Sequence, residues 1–268
     1  MSGALYIQPH AFFLRLSPEW RVERASANIG EFFAVSAEES LKRPLADLIG
    51  EGSVHALRNR LALLRDQDGE VRLPRHRLTA TGACYDFAMR FAGHRVLIEA
   101  QPSLDHESVD IAGTVRAAIA RLPHQPISSL LTEAAGQLRA LSGFDAVTIY
   151  RRGAIIASNA RGNGSLVEAP APSSALRMIA DRDAEPVAFV PPGGERTFLA
   201  GATAEERQQL ADCGAEAMLC LPIIVDGKTW GLAVCRHHAP RRLTLERLGT
   251  AELFIDMVAL RMGLAERG

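Results

Sequence analysis

The sequence has little of what marks disulfide-rich, membrane or secreted proteins. It contains four cysteines in 268 residues, and their irregular spacing does not form a disulfide framework. Its longest apolar run, residues 217–225, is less than half of the roughly 20 residues that a membrane-spanning helix needs. Residues 1–6 lack the basic start and apolar stretch of a secretory signal. We therefore predict a cytoplasmic protein with no membrane contact.

The sequence also lacks an excess of either charge. Its 30 Lys and Arg against 31 Asp and Glu leave a formal net charge of −1. An electrostatic nucleic-acid binder needs a basic excess, so this class of protein is excluded. Apolar residues make up 47% and charged residues 23%, which is typical of a packed globular protein. At roughly 100–200 residues per domain, the length indicates two domains.

Motifs of catalysis are missing as well. The sequence has no nucleophile elbow, phosphate-binding loop or dinucleotide fingerprint. We interpret the acidic cluster at positions 181–185 as solvated loop carboxylates rather than an acid–base pair. The sequence therefore favours a protein that is not an enzyme.

A metal site is considered at the end of one predicted strand. Cys235, His237 and His238 lie together there, and period-2 alternation directs Cys235 and His237 to one face. A closed zinc site needs four such ligands, and no second pair is evident in the sequence. We therefore predict ordinary packing at this position and no metal.

The first domain is predicted over residues 1–104. Residues 12–16 and 21–26 are strand-like and flank a turn that contains Pro18. Residues 54–64 carry leucines at helical spacing, and further strands follow at 85–91 and 95–100. Strands, then helices, then strands again predict an antiparallel or mixed sheet flanked by helices.

A polar, proline-containing stretch over residues 105–125 predicts a linker with a connecting helix. The second domain is predicted over residues 126–268. It begins with a helix at 130–141, and short helices are predicted at 175–180 and 204–212. The fold class is therefore α+β, with two domains of similar construction.

The clearest local signals lie near the end of the chain. Residues 217–225 and 229–236 flank Asp226-Gly227, a dipeptide favoured in tight hairpin turns. Thr244 is a suitable N-cap for a long final helix over residues 245–264. The sequence thus predicts a hairpin followed by a long C-terminal helix.

The final helix carries two apolar sets at helical spacing. The first set covers the sheet: Leu248, Ala251, Ile255, Val258 and Met262. The second set lies beside it: Leu253, Met257, Leu260 and Leu264. We predict that the second set is the dimer interface of a parallel homodimer, with a further contact along residues 130–141. The alternative is that both sets belong to one wide buried face.

A series of short segments resembles the PAS and GAF domains of bacterial phytochromes, in order and over nearly the whole chain. The PAS-like segments are Ile7-Gln8-Pro9-His10, Ala25-Ser26-Ala27-Asn28 and Arg43-Pro44-Leu45. The GAF-like segments begin at Leu141-Ser142-Gly143-Phe144-Asp145, Ile179-Ala180-Asp181, Glu185-Pro186-Val187, Val225-Asp226-Gly227 and Pro240-Arg241-Arg242-Leu243. The resemblance implies a linear tetrapyrrole in the GAF pocket, whose photochemistry passes along helices to an output domain.

The sequence departs from this family at several pigment-binding positions. The bilin-attaching Cys lies before the Ile-Gln-Pro-His segment in the family, and no residue before Ile7 is Cys here. The family's Asp-bearing pocket segment is replaced by residues 166–174. A pocket His falls on Glu206, and a propionate-binding Arg falls on Ala200. The insertion that loops around the N-terminal segment is shortened to residues 191–202.

Two pigment-binding positions are retained. Arg177 matches an Arg that pairs with a bilin propionate, and His237 matches a His near the last pyrrole ring. The alternative interpretation is an Arg paired with a nearby acid and a His satisfied at a strand end.

We therefore predict a phytochrome-like PAS–GAF signalling module that has lost covalent bilin binding and carries no cofactor. It acts through homodimerisation and contacts with a downstream output domain or signalling protein. One alternative is a photoreceptor that binds biliverdin weakly and non-covalently through Arg177 and His237. Another is a GAF sensor of a different small ligand.

Overall fold

The computed structural model describes residues 6–64, 69–104, 110–123, 126–161, 176–195 and 197–265. The chain divides into two compact units. The first unit comprises Met1–His106 with Ala184–Gly201, and the second comprises Glu107–Asp183 with Ala202–Gly268. Each unit has an antiparallel sheet with helices, which confirms the predicted two-domain α+β fold. The sequence placed residues 184–201 in the second domain, whereas in the structure they pack with the first unit.

Regular elements follow one another along the described residues. In chain order, the strands are β1 (Tyr6–Ile7), β2 (Phe12–Leu16), β3 (Val22–Ser26), β4 (Glu70–Arg77), β5 (Cys84–Ala92), β6 (Arg95–Pro102), β7 (Ala146–Arg151), β8 (Ala154–Ala160), β9 (Arg177–Ile179), β10 (Val187–Val190), β11 (Ala217–Val225) and β12 (Lys228–His237). The α-helices are α1 (Gly30–Phe33), α2 (Ala37–Ser40), α3 (Ala46–Ile49), α4 (Glu51–Leu61), α5 (Ile111–Ala120), α6 (Ile127–Ser142), α7 (Ala204–Asp212) and α8 (Leu245–Ala265).

The sheet of the first unit has the strand order β1-β10-β3-β2-β6-β5-β4. One face of β2 carries Phe12, Leu14 and Leu16, as period-2 alternation requires, and all three are buried. The ring of Phe12 contacts four other aromatic rings, at centroid distances of 5.0–6.3 Å: Phe32, Phe33, Tyr85 and Phe87. The core of this unit therefore lies between the sheet and the short helices that follow β3.

Strand β4 is absent from the sequence prediction. Its residues alternate between charged and apolar types and include Pro74, so they do not read as a buried strand. It is one of the two edge strands of the sheet, and among the described strands it pairs with β5 alone, with a register irregularity between Leu73 and His76. Edge strands tolerate proline and charge because one row of backbone groups faces solvent.

Strand β10 lies far along the chain but pairs with β1 and β3 of the first unit. The residues after it are attached to this sheet through a buried carboxylate, Glu99 of β6. Glu99 accepts hydrogen bonds from the Thr197 hydroxyl, the Phe198 N–H at 3.3 Å and the Leu199 N–H at 3.0 Å. The Glu99 side chain therefore accepts three hydrogen bonds from residues 197–199, which belong to the first unit although the elements on either side of this segment in the sequence belong to the second.

The sheet of the second unit has the strand order β8-β7-β12-β11-β9. The predicted hairpin is present as β11 and β12, with Asp226 and Gly227 both at positive φ. Helices α6 and α8 pack together on one face of this sheet, and α8 also packs against α5. The predicted helix at 204–212 is present as α7, whereas the predicted helix at 175–180 is wrong because Arg177–Ile179 is the strand β9.

Helix α8 begins at Leu245, and the Thr244 hydroxyl accepts a hydrogen bond from the Arg247 N–H at 3.2 Å. This contact is the predicted N-cap. Among the described residues, the structure contains no helix with the length and apolar character that a membrane span requires.

Candidate functional site

One face of the second sheet, here called the α7 face, carries Arg177, one of the two residues that the resemblance assigns to a bilin. Strand pairing sets Arg177 opposite Cys220, and Cys220 opposite Val234, so these three side chains share this face. Leu210 of α7 packs into the same apolar cluster. Its buried members are Tyr150, Ile179, Ala202, Leu210, Ala215, Met218, Cys220, Leu232 and Val234.

Arg177 is the charged residue at the edge of this cluster and is 8% exposed. Its Nε donates to Glu206 Oε1 and its Nη2 donates to Glu206 Oε2, both at 2.9 Å. This bidentate pair is the strongest geometry available to a guanidinium and a carboxylate. The Arg177 fork is therefore already engaged by an acid of the same unit.

Glu206 is held in place by the start of α7. Its carboxylate accepts a hydrogen bond from the Thr203 N–H at 2.9 Å, and the Thr203 hydroxyl accepts one from the Glu206 N–H at 3.1 Å. This capping box fixes the acid in front of Arg177. Burial raises the pKa of Glu206, but the hydrogen bond and charge of Arg177 together with the hydrogen bonds of Thr203 outweigh burial, so the net pKa is lowered.

Arg236 is a second buried cation on the α7 face, and the sequence analysis did not single it out. It is 7% exposed, donates to the Tyr150 hydroxyl at 3.1 Å, and lies 5.8 Å from the centroid of that ring. In the part of the chain that the structure describes, it forms no ion pair. The signal that could have found it is alternation, because it is two residues from Val234 on the same strand.

His237 lies on the opposite face of the sheet. It pairs with Ala217 and follows Arg236, so its side chain points toward the helix side. Its ring contacts Phe144 at a centroid distance of 5.9 Å, and its Nδ1 lies 2.5 Å from Asp145 Oδ2. Burial lowers the pKa of His237, and Asp145 partly opposes this effect. The structure therefore does not bring Arg177 and His237 together.

The four thiols lie in different surroundings. Cys220 and Cys235 are buried, and burial raises the pKa of each thiol to about 12. Cys84 and Cys213 are partly exposed; Cys84 is in the first unit, and Cys213 ends α7 with its Sγ 3.3 Å from the Leu210 carbonyl oxygen. A thiol reacts as its thiolate, so Cys220 and Cys235 are poor nucleophiles at neutral pH.

The two apolar sets of α8 differ in exposure. All five members of the first set are buried. The second set is exposed within the chain, with Leu253 at 41%, Met257 at 37%, Leu260 at 55% and Leu264 at 61%. The leucines of α6 at positions 130, 131 and 138 have no exposed surface, so they are not available to a second copy.

Comparison with known proteins finds a domain family for each of the two units. Residues 126–262 match the GAF domain family, and residues 1–102 match the PAS fold family. The chain is 25% identical over 289 residues to the phytochrome-like protein Cph1 of Synechocystis sp., in a match that covers 92% of this chain and 38% of that protein. It is 26% identical over 221 residues to phytochrome B of Sorghum bicolor, covering 63% of this chain and 19% of that protein. The chain thus spans less than half the length of these relatives.

Solved structures show the same arrangement of elements. The chromophore-binding domain of the bacteriophytochrome RpBphP3 from R. palustris superposes with a TM-score of 0.82 at 21% identity, covering 98% of this chain and 96% of that chain. The chromophore-binding domain of Stigmatella aurantiaca phytochrome P1 superposes with a TM-score of 0.79 at 25% identity, covering 95% of each chain.

Proposed function

Because the chain belongs to the GAF domain family and forms a phytochrome-like PAS–GAF region, we propose that it is a signalling module without a covalently attached bilin. In this proposal it works by homodimerisation and by contact with a downstream output domain or signalling protein, and it is not an enzyme. The observation that carries the proposal is the bidentate ion pair between Arg177 and Glu206.

The guanidinium of Arg177, which would bind a pigment, is already paired with Glu206. The resemblance assigns Arg177 to a bilin propionate and places Glu206 where the family has a pocket His. A propionate that approaches Arg177 must displace a carboxylate held by the cap of α7. Displacement leaves that half-buried carboxylate without its arginine partner, and each lost hydrogen bond to a charged group costs about 1.5–3 kcal/mol. We therefore expect biliverdin to bind weakly.

The thiols support the absence of covalent attachment. The two cysteines of the GAF sheet, Cys220 and Cys235, are buried with strongly raised thiol pKa values. Covalent attachment needs a thiolate that reaches the pigment. Neither of these cysteines offers one.

The first prediction concerns covalent attachment. After incubation with biliverdin and denaturing electrophoresis in the presence of zinc, we expect no fluorescent protein band. A phytochrome chromophore-binding domain that attaches bilin serves as the positive control. A fluorescent band from this chain would contradict the proposal, and Cys→Ser variants at positions 84 and 213 would then identify the attachment site.

The second prediction concerns non-covalent affinity. We expect wild-type protein to bind biliverdin no more tightly than micromolar, measured by titration of the red absorbance band. Glu206→Gln removes the competing charge from Arg177, so we expect affinity to rise by about 10-fold, equivalent to about 1.4 kcal/mol. The gain is expected to disappear when Arg177→Ala is added.

Glu205→Gln is the matched control for this titration. Glu205 is exposed on the same turn of α7, and its carboxylate accepts only the Gln209 side chain at 3.3 Å among the described contacts. This variant changes the charge of the helix equally but leaves Arg177 paired. A red-absorbing wild-type complex at nanomolar concentration, or equal effects of the two variants, would refute the explanation.

Homodimerisation is proposed from the second apolar set of α8. These side chains lie on the outer surface of a helix whose other face is fully packed. Covering a large apolar side chain contributes about 1.5–3 kcal/mol, so a second copy is the simplest occupant. The contact proposed here runs along α8 alone, because Leu130, Leu131 and Leu138 of α6 are already in the core.

A GAF sensor of a different ligand is the second candidate function, and Arg236 favours it. A buried guanidinium is stable only when paired or when its charge is well solvated by hydrogen bonds. An anionic small ligand on the α7 face would supply that partner. Such a ligand is expected to raise the melting temperature of wild-type protein and to leave an Arg236→Met variant unchanged in a small-anion thermal-shift screen.

A further inference from the structure

Two neighbouring histidines meet an aspartate from a distant part of the sequence at the C-terminal end of β12. His237 is the last residue of that strand, and His238 follows it. Asp145 precedes β7, and its N–H donates to the Arg236 carbonyl oxygen at 3.1 Å, which sets it beside both histidines. The two imidazoles lie beside each other, with ring centroids 4.8 Å apart.

The atoms that face one another are all metal-ligand atoms. One carboxylate oxygen of Asp145 and one ring nitrogen of each histidine lie within 4.8 Å of one another. Asp145 Oδ2 lies 2.5 Å from His237 Nδ1, is in contact with His238 Nδ1, and accepts the His238 backbone N–H at 3.2 Å. His237 Nδ1 is buried, and its approach to the carboxylate does not have hydrogen-bond geometry. Two imidazole nitrogens thus lie close to a single carboxylate oxygen.

We infer that Asp145, His237 and His238 form an open binding site for a divalent zinc-class cation, with water completing the coordination shell. Zinc binds histidine nitrogen at about 2.0–2.1 Å and carboxylate oxygen at about 2.0–2.2 Å, which places neighbouring ligand atoms about 3.4 Å apart in a tetrahedron. The three atoms already lie within 4.8 Å of one another, so we expect side-chain rotation to bring them to that spacing.

The donor set decides the class of metal. Two imidazoles and one carboxylate suit Zn²⁺, Ni²⁺, Co²⁺ or Cu²⁺, whereas Mg²⁺ and Ca²⁺ prefer oxygen ligands throughout. The side chain of His238 is 75% exposed, so water has access to the remaining coordination positions. Cys235, which the sequence analysis grouped with the histidines, is fully buried and is not part of this cluster.

Arg241 opposes the binding of a cation. Its Nη1 lies 3.5 Å from His237 Nε2, so it presents a positive charge and a donor to the ring. Metal binding through Nδ1 puts the ring proton on Nε2, and the Arg241 side chain must then turn away. The site is therefore expected to be weaker than a site without this arginine, with a micromolar dissociation constant.

Titration of metal-free protein with Co²⁺ tests the inference, because its visible absorption reports coordination directly. We expect one equivalent to bind and Zn²⁺ to displace it. His238→Ala removes a direct metal ligand and should weaken Co²⁺ binding by more than about 10-fold. Loss of a residue that only supports a ligand already costs about 10-fold or more. His238 is exposed, so this variant keeps the fold. Arg241→Ala should tighten binding by about 3-fold or more.

His94→Ala is the matched control, because His94 is an exposed histidine between β5 and β6 of the first unit. It should bind Co²⁺ as wild type does. The inference is overturned if wild-type protein shows no saturable Co²⁺ spectrum at one equivalent. It is also overturned if His238→Ala and His94→Ala give the same affinity as wild type.

Discussion

A Met257→Glu, Leu260→Glu double variant is expected to sediment as a 29.0 kDa monomer, whereas wild-type protein is expected to sediment near twice that mass. Both side chains lie in the exposed apolar set of α8, at 37% and 55% exposure. In a parallel pair of α8 helices each side chain meets apolar surface of the second copy, which contributes about 1.5–3 kcal/mol per large side chain. Two carboxylates from each copy remove this gain and add like-charge repulsion.

The double variant is expected to remain folded, because the face of α8 that packs on the sheet is unchanged. Circular dichroism and a cooperative unfolding transition check this point. Leu63→Glu is the matched control: Leu63 is 63% exposed and lies just after α4 in the first unit. It should remain dimeric. A monomeric wild type at tens of micromolar would refute the dimer. A double variant that unfolds would show that Met257 and Leu260 are needed for folding rather than for assembly.

The free energy of unfolding is expected to fall as pH rises from 5 to 8, owing to Glu99. This carboxyl is 2% exposed, and burial raises its pKa to about 7, against the opposing effects of Thr197, Arg90 and the Leu199 N–H. The reference pKa of 4.5 applies when the chain is unfolded. Between these values the native state binds more protons than the unfolded state, so stability is lost as pH rises through 7.

The size of this loss is about 3 kcal/mol, because each unit of pKa difference corresponds to 1.36 kcal/mol. Glu99→Gln removes the titration, so its unfolding free energy should vary less over the same pH range. Glu38→Gln, at an exposed acid on α2, is the control and should follow the wild-type curve. Urea unfolding at fixed pH values measures all three. A wild-type curve parallel to that of Glu99→Gln would contradict the prediction.

Loss of the Glu99 contacts has a local consequence as well. The three donors that this carboxylate satisfies belong to residues 197–199, which attach the Ala184–Gly201 segment to the first unit. Hydrogen exchange at the Phe198 and Leu199 amides should therefore accelerate in Glu99→Gln more than exchange in β11 does.

Local pattern alone was enough to predict several elements. The hairpin of β11 and β12 depends on a tight-turn dipeptide between two apolar runs, and it forms where predicted. The two apolar sets of α8 separate into a buried and an exposed face because helical spacing fixes which side chains share a side. The N-cap at Thr244 is likewise a contact between neighbours in the sequence. Such features need no knowledge of the rest of the chain.

Pairings between distant segments depended on the tertiary structure. Residues 177–179 form a strand because β11 offers them an edge, which overrides their local helical pattern. Strand β10 joins the first sheet although it lies between two elements of the second unit. Local periodicity does not predict which sheet edge a short strand will pair with, because the hydrogen bonds that stabilise the strand come from residues far away in the sequence.

The predicted site differs from the observed one for the same reason: it depends on contacts between distant segments. The sequence by itself determined the two-domain α+β fold and its phytochrome-like PAS–GAF order. Only the tertiary structure set Arg177 against Glu206, placed His237 on the other face of the sheet, and brought Asp145 to His238. The partner of a side chain is decided by strand register and by the helix that packs over the strand. Both depend on contacts between residues that are distant in the sequence, so no local pattern predicts them.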